Sequence, residues 1–277
     1  MLRQRILTAV VLLALLLPAL IAKPVWPFAM LTLAAMAVAG WEWVRLNEGG
    51  AYAVPLGIVL GLACGAALYA GWATNAPRVS WWIAFAIWVL GGTWLLRGGV
   101  AGWSRVPRAL RWALGLVALW TAWLALANAK AGGLNFILSI FFLVWTADVF
   151  AYFGGRAFGR RKLALAISPG KSWEGVWSGM IGALLVAAAW LAIDASGSIG
   201  SESFYTIIAN RFGYAGLALV VVFLVAMSVV GDLLESLVKR SAGAKDSSTL
   251  LPGHGGFLDR LDGLLPVFPI ALALAAL

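Results

Sequence analysis

Charge is what this sequence has least of. Asp, Glu, Lys and Arg make up 11% of its 277 residues, against about 25% in ordinary soluble domains. A chain of this length folded in water would need a far larger polar skin. Cysteine is nearly absent: the single Cys64 sits in an apolar run and excludes a disulfide framework. Histidine is equally rare, and His254 alone cannot build a multi-histidine zinc site. No long polar tract is left for a separate soluble domain, and the Gly-x-x-x-x-Gly-Lys-Ser/Thr phosphate loop is missing. What is abundant is apolar surface: 63% hydrophobic residues, 16 Trp and 13 Phe, with a mean hydropathy of +0.95. The composition therefore predicts an all-α, polytopic integral membrane protein forming one transmembrane domain over 1–277.

A membrane helix needs ~20 mostly apolar residues to cross ~30 Å of hydrocarbon. Apolar runs occur at about 6–22, 24–44, 51–72, 79–96, 112–128, 133–153, 175–194, 213–234 and 263–277, which predicts about nine spans, the last of them short. With a cytoplasmic N-terminus, alternation puts 16 of the 20 basic residues on the inner side and leaves Lys23, Arg78, Lys130 and Arg211 outside. That asymmetry follows the positive-inside rule. It also accounts for the net charge of +9 without invoking a nucleic-acid partner. Arg3, Arg5 and the run ending near Lys23 resemble a signal peptide, but the run is longer than a usual signal core and reads as a retained first helix. The outer stretch 195–203 reads as a flexible connection.

The eleven acidic residues are placed less evenly than any insertion rule requires. Asp148, Glu174, Asp232, Glu235, Asp246, Asp259 and Asp262 all lie at or beside the predicted inner ends of the last four spans. Asp194 and Glu202 are outside, and Glu42 and Glu48 flank an early inner loop. An ionisable group inside an apolar run is costly and marks function by default; Asp148 and Asp232 are such groups. The competing reading of Asp148 is a structural pair with Arg156. On a helix, Asp232, Glu235 and Ser236 share a face, as do Asp259 with Asp262 and Asp148 with Tyr152.

Two inner segments, 154–174 and 235–262, hold the complementary groups. The first contains Gly154-Gly155-Arg156, Arg160-Arg161-Lys162 and Ser168-Pro169-Gly170-Lys171-Ser172-Trp173-Glu174. The second contains Lys239-Arg240, Lys245-Asp246, Pro252-Gly253-His254-Gly255-Gly256 and Asp259-Arg260-Leu261-Asp262. Glycines allow close backbone approach to a phosphate, and Lys and Arg neutralise it. Carboxylates among such groups suit Mg²⁺, which takes one or two of them and leaves positions for substrate phosphates. His254 reads as a phosphate or loop-ordering hydrogen bond rather than a general base.

Residues 236–262 resemble the signature segment of the phosphatidate cytidylyltransferase (CDP-diacylglycerol synthase) family. Ser236, Lys239-Arg240, Lys245-Asp246, Pro252, His254-Gly255-Gly256 and Asp259-Arg260-x-Asp262 stand at the family spacing. Upstream, Asp148-x-x-x-Tyr152, Gly155-Arg156-x-Phe158-Gly159, Ser168-Pro169-x-Lys171-Ser172-x-Glu174-Gly175 and Gly231-Asp232-x-x-Glu235-Ser236 also look like family motifs. The resemblance at motif level covers 148–262.

The resemblance implies a reaction in which CTP and phosphatidate give CDP-diacylglycerol and pyrophosphate. It also implies Mg²⁺, with K⁺ as a second cation in some members, a homodimer, and a multi-pass place in the cell (inner) membrane with the site facing the cytoplasm. Metal binding carries over onto Asp232 and Asp259, with Asp148 and Asp262 nearby. Asp232, Asp259, Asp262, Lys239 and Lys245 become the expected catalytic group. Tyr152, Arg156, Ser168, Lys171, Ser172, Glu174, Ser236, Arg240, Asp246, His254, Gly255, Gly256 and Arg260 become expected substrate contacts. On this reading 1–130 is scaffold and dimer contact, and 131–277 is the catalytic half.

Three other readings compete. A CTP-dependent kinase or cytidylyltransferase of another lipid would share much of the chemistry. A transporter would place polar groups near the midplane, often with internal repeats, and no repeat is evident. A CDP-alcohol phosphatidyltransferase would need an Asp-Gly-x-x-Ala-Arg type motif, which the sequence lacks.

Overall fold

The computed structural model describes residues 2–197 and 201–277. Part of the outer connection read at 195–203 thus lies outside the described residues. The described chain is helical almost throughout. Its helices are α1 (Leu2–Ile21), α2 (Trp26–Leu46), α3 (Ala53–Tyr69), α4 (Arg78–Ala86), α5 (Thr93–Arg105), α6 (Arg108–Ala131), α7 (Leu134–Phe158), α8 (Trp173–Ala195), α9 (Phe204–Ser241), α10 (Leu258–Leu261) and α11 (Leu264–Ala275). A π-helical stretch, Ile87–Gly92, joins α4 to α5, and a small antiparallel hairpin, β1 (Lys162–Ala164) and β2 (Ser168–Ser172), follows α7.

Among the described residues, eight helices are long and apolar enough to cross a membrane, α4 and α5 acting as one 28-residue span. The ninth apolar run differs from expectation. It forms α11, whose 12 residues reach only about 18 Å at 1.5 Å per residue. Leu264 to Ala273 are all buried, so the hydropathy of this run serves the protein core. It packs on α4, α6, α7 and α9.

Two sets of polar contacts mark the two ends of the bundle. At one end Thr8 donates to the Pro252 carbonyl, Trp43 donates to the Arg111 carbonyl at 2.8 Å and Arg111 pairs with Glu48. At the other, Asn128 donates to the Trp72 carbonyl, Asn135 to Asp194 and Arg211 to the Ala275 carbonyl. The inner loops expected from the charge pattern collect at the first end.

Two local features bring the polar groups of that end together. The first is the close packing of α7 on α8. A Cβ at Gly175 would sit 2.8 Å from the Ala151 carbonyl oxygen, and one at Gly179 would sit 2.8 Å from that of Ala147. The four-residue spacing of small residues lets the two backbones approach, the usual device between membrane helices. The second is α9, which has 38 residues and a break at Gly213. Beyond that break it still runs about 40 Å at 1.5 Å per residue, longer than the hydrocarbon core. Its last turns therefore carry Asp232 to Arg240 to the end of the bundle.

Candidate active site

The site is assembled from four pieces: the last turns of α7 and α9, strand β2, and the segment 245–263. Lys171 on β2 reaches Asp232 on α9, with Nζ 2.5 Å from Oδ2. Ser236, one turn along, donates to the other oxygen of Asp232 at 3.3 Å. Asp148 lies within electrostatic reach of both Lys171 and Asp232. Asp262 completes this group, with Oδ1 taking the Gly263 N–H at 2.8 Å. Burial holds the Asp262 carboxyl above the ordinary carboxylate range, and the charges of Asp232 and Asp148 push the same way, against Lys171 and the Gly263 N–H. Three carboxylates thus share a single lysine.

A second group stands further along α9. Lys239 bridges Glu235, at 2.5 Å, and Asp259, at 2.7 Å. The other oxygen of Asp259 accepts from the Ser247 N–H, the Ser247 hydroxyl and the Gly256 N–H at 2.8 to 2.9 Å. Burial acts to raise the Asp259 carboxyl, but hydrogen bonding with Glu235, Lys239, Gly256 and Ser247 outweighs it and holds the group well below the usual range. Asp259 is a fully engaged carboxylate that closes the loop from Ser247 to Gly256. Gly255 has φ +82°, and a Cβ there would lie 2.6 Å from Asp259 Oδ2, so glycine is required where the loop turns over that oxygen.

The geometry therefore divides residues that their spacing had grouped. Asp259 and Asp262 do not share a face: Asp259, on the four-residue α10, turns to Lys239, and Asp262, just past its end, turns to Asp232. Asp232 keeps Ser236, whereas Glu235 turns to Lys239. Tyr152 does not pair with Asp148; its hydroxyl accepts from Arg156 at 3.4 Å, which also leaves the Asp148–Arg156 pair unformed.

Several expected substrate contacts also hold the local structure together. The Ser172 hydroxyl caps α8 by accepting the Gly175 N–H, which satisfies one of the free donors at a helix start. Glu174 accepts from the Arg160 and Arg161 N–H groups and from Arg161 Nε, fixing the turn that leads into the hairpin. Arg240 donates to the carbonyls of Ile167 and Ala244, tying hairpin to loop. Ser168 pairs with Ala164 through the β ladder. Lys245, Asp246 and Arg260 are exposed and form no ion pair among the described residues. His254 is bound through its backbone N–H to the Leu251 carbonyl, and its buried Nδ1 has no hydrogen-bond partner among the described residues. A buried polar atom in that state marks a missing partner.

The sequence reading missed Glu42. This α2 residue is wholly buried and accepts from the Ser247 and Ser248 hydroxyls and from the Phe257 and Leu258 N–H groups. Its place in an apolar run was the available signal. Arg45, one turn on, donates to the Ser247 carbonyl.

The fit to a divalent cation rests on the donor set. Among the described residues no three His, Cys, Asp or Glu side chains converge as a closed ligand set. Magnesium does not require one, because it usually takes one or two carboxylates and completes its shell with water and phosphate oxygens. Asp232, with Asp148 and Asp262 beside it and only Lys171 in compensation, suits such an ion. Asp259 joins a cation shared with Asp232 only by giving up Lys239.

A large apolar cavity of about 980 Å³ lies against another face of α9, lined by Trp43, Trp88, Trp94, Leu114, Leu234 and Glu235 among others. None of Lys171, Asp232, Asp148 or Asp262 lines it, so chemistry rather than cavity size singles out the site.

The model of the Cytidylyltransferase family matches residues 3–277. The chain belongs to the cytidylyltransferase family. It is similar to a phosphatidate cytidylyltransferase of Pseudomonas aeruginosa, 38% identical over 99% of this chain and 97% of that one. It is likewise similar to one of Haemophilus influenzae, 36% identical over 97% of this chain and 96% of that one. A Bacillus subtilis phosphatidate cytidylyltransferase is 37% identical over 54% of this chain and 51% of that one. The family resemblance read from 236–262 is borne out, and it extends through the first half of the chain.

Proposed function

We propose that the chain transfers the cytidylyl group of CTP to phosphatidate, giving CDP-diacylglycerol and pyrophosphate. The observation that carries this reading is the Lys171–Asp232 pair with Asp148 and Asp262 around it, within a family whose relatives are named for that reaction. The site would face the cytoplasm of the inner membrane, where CTP is available, and a homodimer remains the assembly that the resemblance implies.

The nucleophile is an oxygen of the phosphatidate phosphate. A phosphate monoester has its second pKa near ~6, so it is largely ionised at neutral pH and needs no general base. That oxygen attacks the α-phosphorus of CTP; the new P–O bond forms as the bond to the bridging oxygen breaks and pyrophosphate departs with the electron pair. The obstacle is repulsion between two anions, so catalysis consists of positioning and charge screening. Mg²⁺ bound by Asp232, with Asp148 or Asp262 as a second carboxylate, would neutralise phosphate charge on both reactants; potassium is the proposed second cation. Lys171 holds Asp232 in place and presents its remaining N–H donors to phosphate. Lys245 and Arg260, exposed and free of carboxylate partners among the described residues, meet the triphosphate as it enters. His254 supplies one hydrogen bond through its unsatisfied ring nitrogen.

Because no proton has to be removed, His254→Ala lowers the rate by about tenfold, the worth of one hydrogen bond to a charged group. Its loss stays smaller than that of Asp259→Asn; an equal or larger loss, measured as kcat on folded protein, restores histidine as a base.

The reaction itself is tested with detergent-purified protein, phosphatidate and CTP labelled in either the cytosine ring or the γ-phosphate, with Mg²⁺ or EDTA. Cytosine label enters the lipid phase only with metal. Label from the γ-phosphate in lipid would instead identify a CTP-dependent lipid kinase.

A further inference from the structure

We infer that Glu42 is a positioning residue for the reaction, the group by which the first half of the chain sets the signature loop 247–258. The inference rests on the proposed transfer, because that loop and its flanks carry Lys245, His254 and Arg260. Glu42 comes from α2 and is fully buried. Each of its oxygens accepts from one hydroxyl and one backbone N–H. Oε1 takes Ser248 Oγ and, at 3.1 Å, the Phe257 N–H. Oε2 takes Ser247 Oγ at 3.1 Å and the Leu258 N–H at 2.7 Å. Among the described residues no lysine or arginine pairs with it; four donors of one loop satisfy the carboxylate instead.

The clamp also connects to Asp259. The Ser247 hydroxyl lies between the two acids, 3.1 Å from Glu42 and 2.9 Å from Asp259. Gly256 fits between them only because it lacks a side chain: a Cβ there would fall 2.2 Å from Glu42 Oε1 and 2.1 Å from Ser247 Oγ. Glu42 fixes the outer edge of the loop and Asp259 its inner edge, so the placing of His254 and of the Asp259–Asp262 turn depends on α2.

Glutamine is the sharp substitution. Whichever way its amide points, one of the Phe257 and Leu258 N–H groups faces an NH₂ and loses its acceptor. An orphaned buried donor costs about a factor of ten or more. In Glu42→Gln, hydrogen exchange at Phe257 and Leu258 rises about tenfold or more, while exchange in α7 and α8 is unchanged. The KM for CTP rises by at least about tenfold, and Glu202→Gln, at an exposed position beside the Asn135–Asp194 contacts, behaves as wild type. A role in folding alone would lower the active fraction, hence apparent kcat, and leave that KM unmoved. Ser248→Ala gives a smaller rise in KM, and adding it to Glu42→Gln costs less than the product of the two single effects, because the removed bond is shared. Should Glu42→Gln not fold, Ser248→Ala alone decides through the same exchange and KM readings.

Unchanged exchange at Phe257 and Leu258, an unchanged KM for CTP, or fully independent single effects would overturn the inference. The exchange reading does not depend on which reaction the protein performs. If wild-type protein transfers no cytidylyl group, the proposed function fails while the clamp is still tested.

Discussion

Asp232→Asn abolishes transfer while the protein remains folded and inserted. Asp232 is the carboxylate on which Lys171, Ser236 and the charges of Asp148 and Asp262 converge. Asparagine keeps its size and one acceptor oxygen but removes the charge that Lys171 neutralises and a divalent cation requires. Stabilisation of phosphate charge by a bound metal is worth several kcal/mol, and about 4 kcal/mol is about a thousandfold in rate at 1.36 kcal/mol per decade. The measurement is kcat per folded molecule, with folding checked by size-exclusion and thermal melting in detergent. Activity within tenfold of wild type would remove Asp232 from the centre of the account. The Mg²⁺ dependence of any residual activity adds a second reading: weaker affinity for the ion is expected.

Asp259→Asn has the second largest effect, and for a different reason. Its carboxylate accepts four hydrogen bonds, from Lys239, Gly256 and twice from Ser247. An asparagine directs its NH₂ either at the Lys239 ammonium or at the loop N–H groups. Both placements set donor against donor, and Lys239 is left with Glu235 alone. A fall in kcat/KM of about a hundredfold or more is expected, together with a stability loss of about 1–3 kcal/mol for the unsatisfied donors. Insertion is unaffected, because the spanning helices bury their own backbone groups. The check is steady-state kinetics alongside melting of the same preparation. Retention of a third of wild-type activity would show that the loop holds its place without this anchor.

The membrane architecture was legible because hydropathy reports directly on length in lipid. The run at 263–277 was the exception: its apolar residues serve burial among α4, α6, α7 and α9, and hydropathy does not distinguish a lipid-facing helix from a core one. The gathering of these acids at one end of the bundle was legible too, since seven acids at the predicted inner ends needed a cause beyond insertion. Their division was not. Asp259 and Asp262 are one turn apart in sequence, but which way each points depends on Lys239 and Asp232, residues of another helix. Lys171 and Asp232 lie 61 positions apart, and no spacing rule joins them. Glu42 is harder still, because its partners are more than 200 residues away and its own neighbourhood reads as an ordinary apolar helix. Local patterns named the chemistry, and tertiary packing chose which carboxylates gather around Lys171 and which hold the loop.

The central claim is that the phosphate of a lipid attacks the nucleotide directly at the Lys171–Asp232 site. It is tested most directly with phosphatidate carrying heavy oxygen in its phosphate, incubated with CTP and Mg²⁺ and followed by mass spectrometry of both products. Direct attack gives a cytidine-bearing lipid that retains all the heavy oxygen, and one light pyrophosphate for each molecule formed. Heavy oxygen in the pyrophosphate, or a lipid product without the nucleotide, would contradict it.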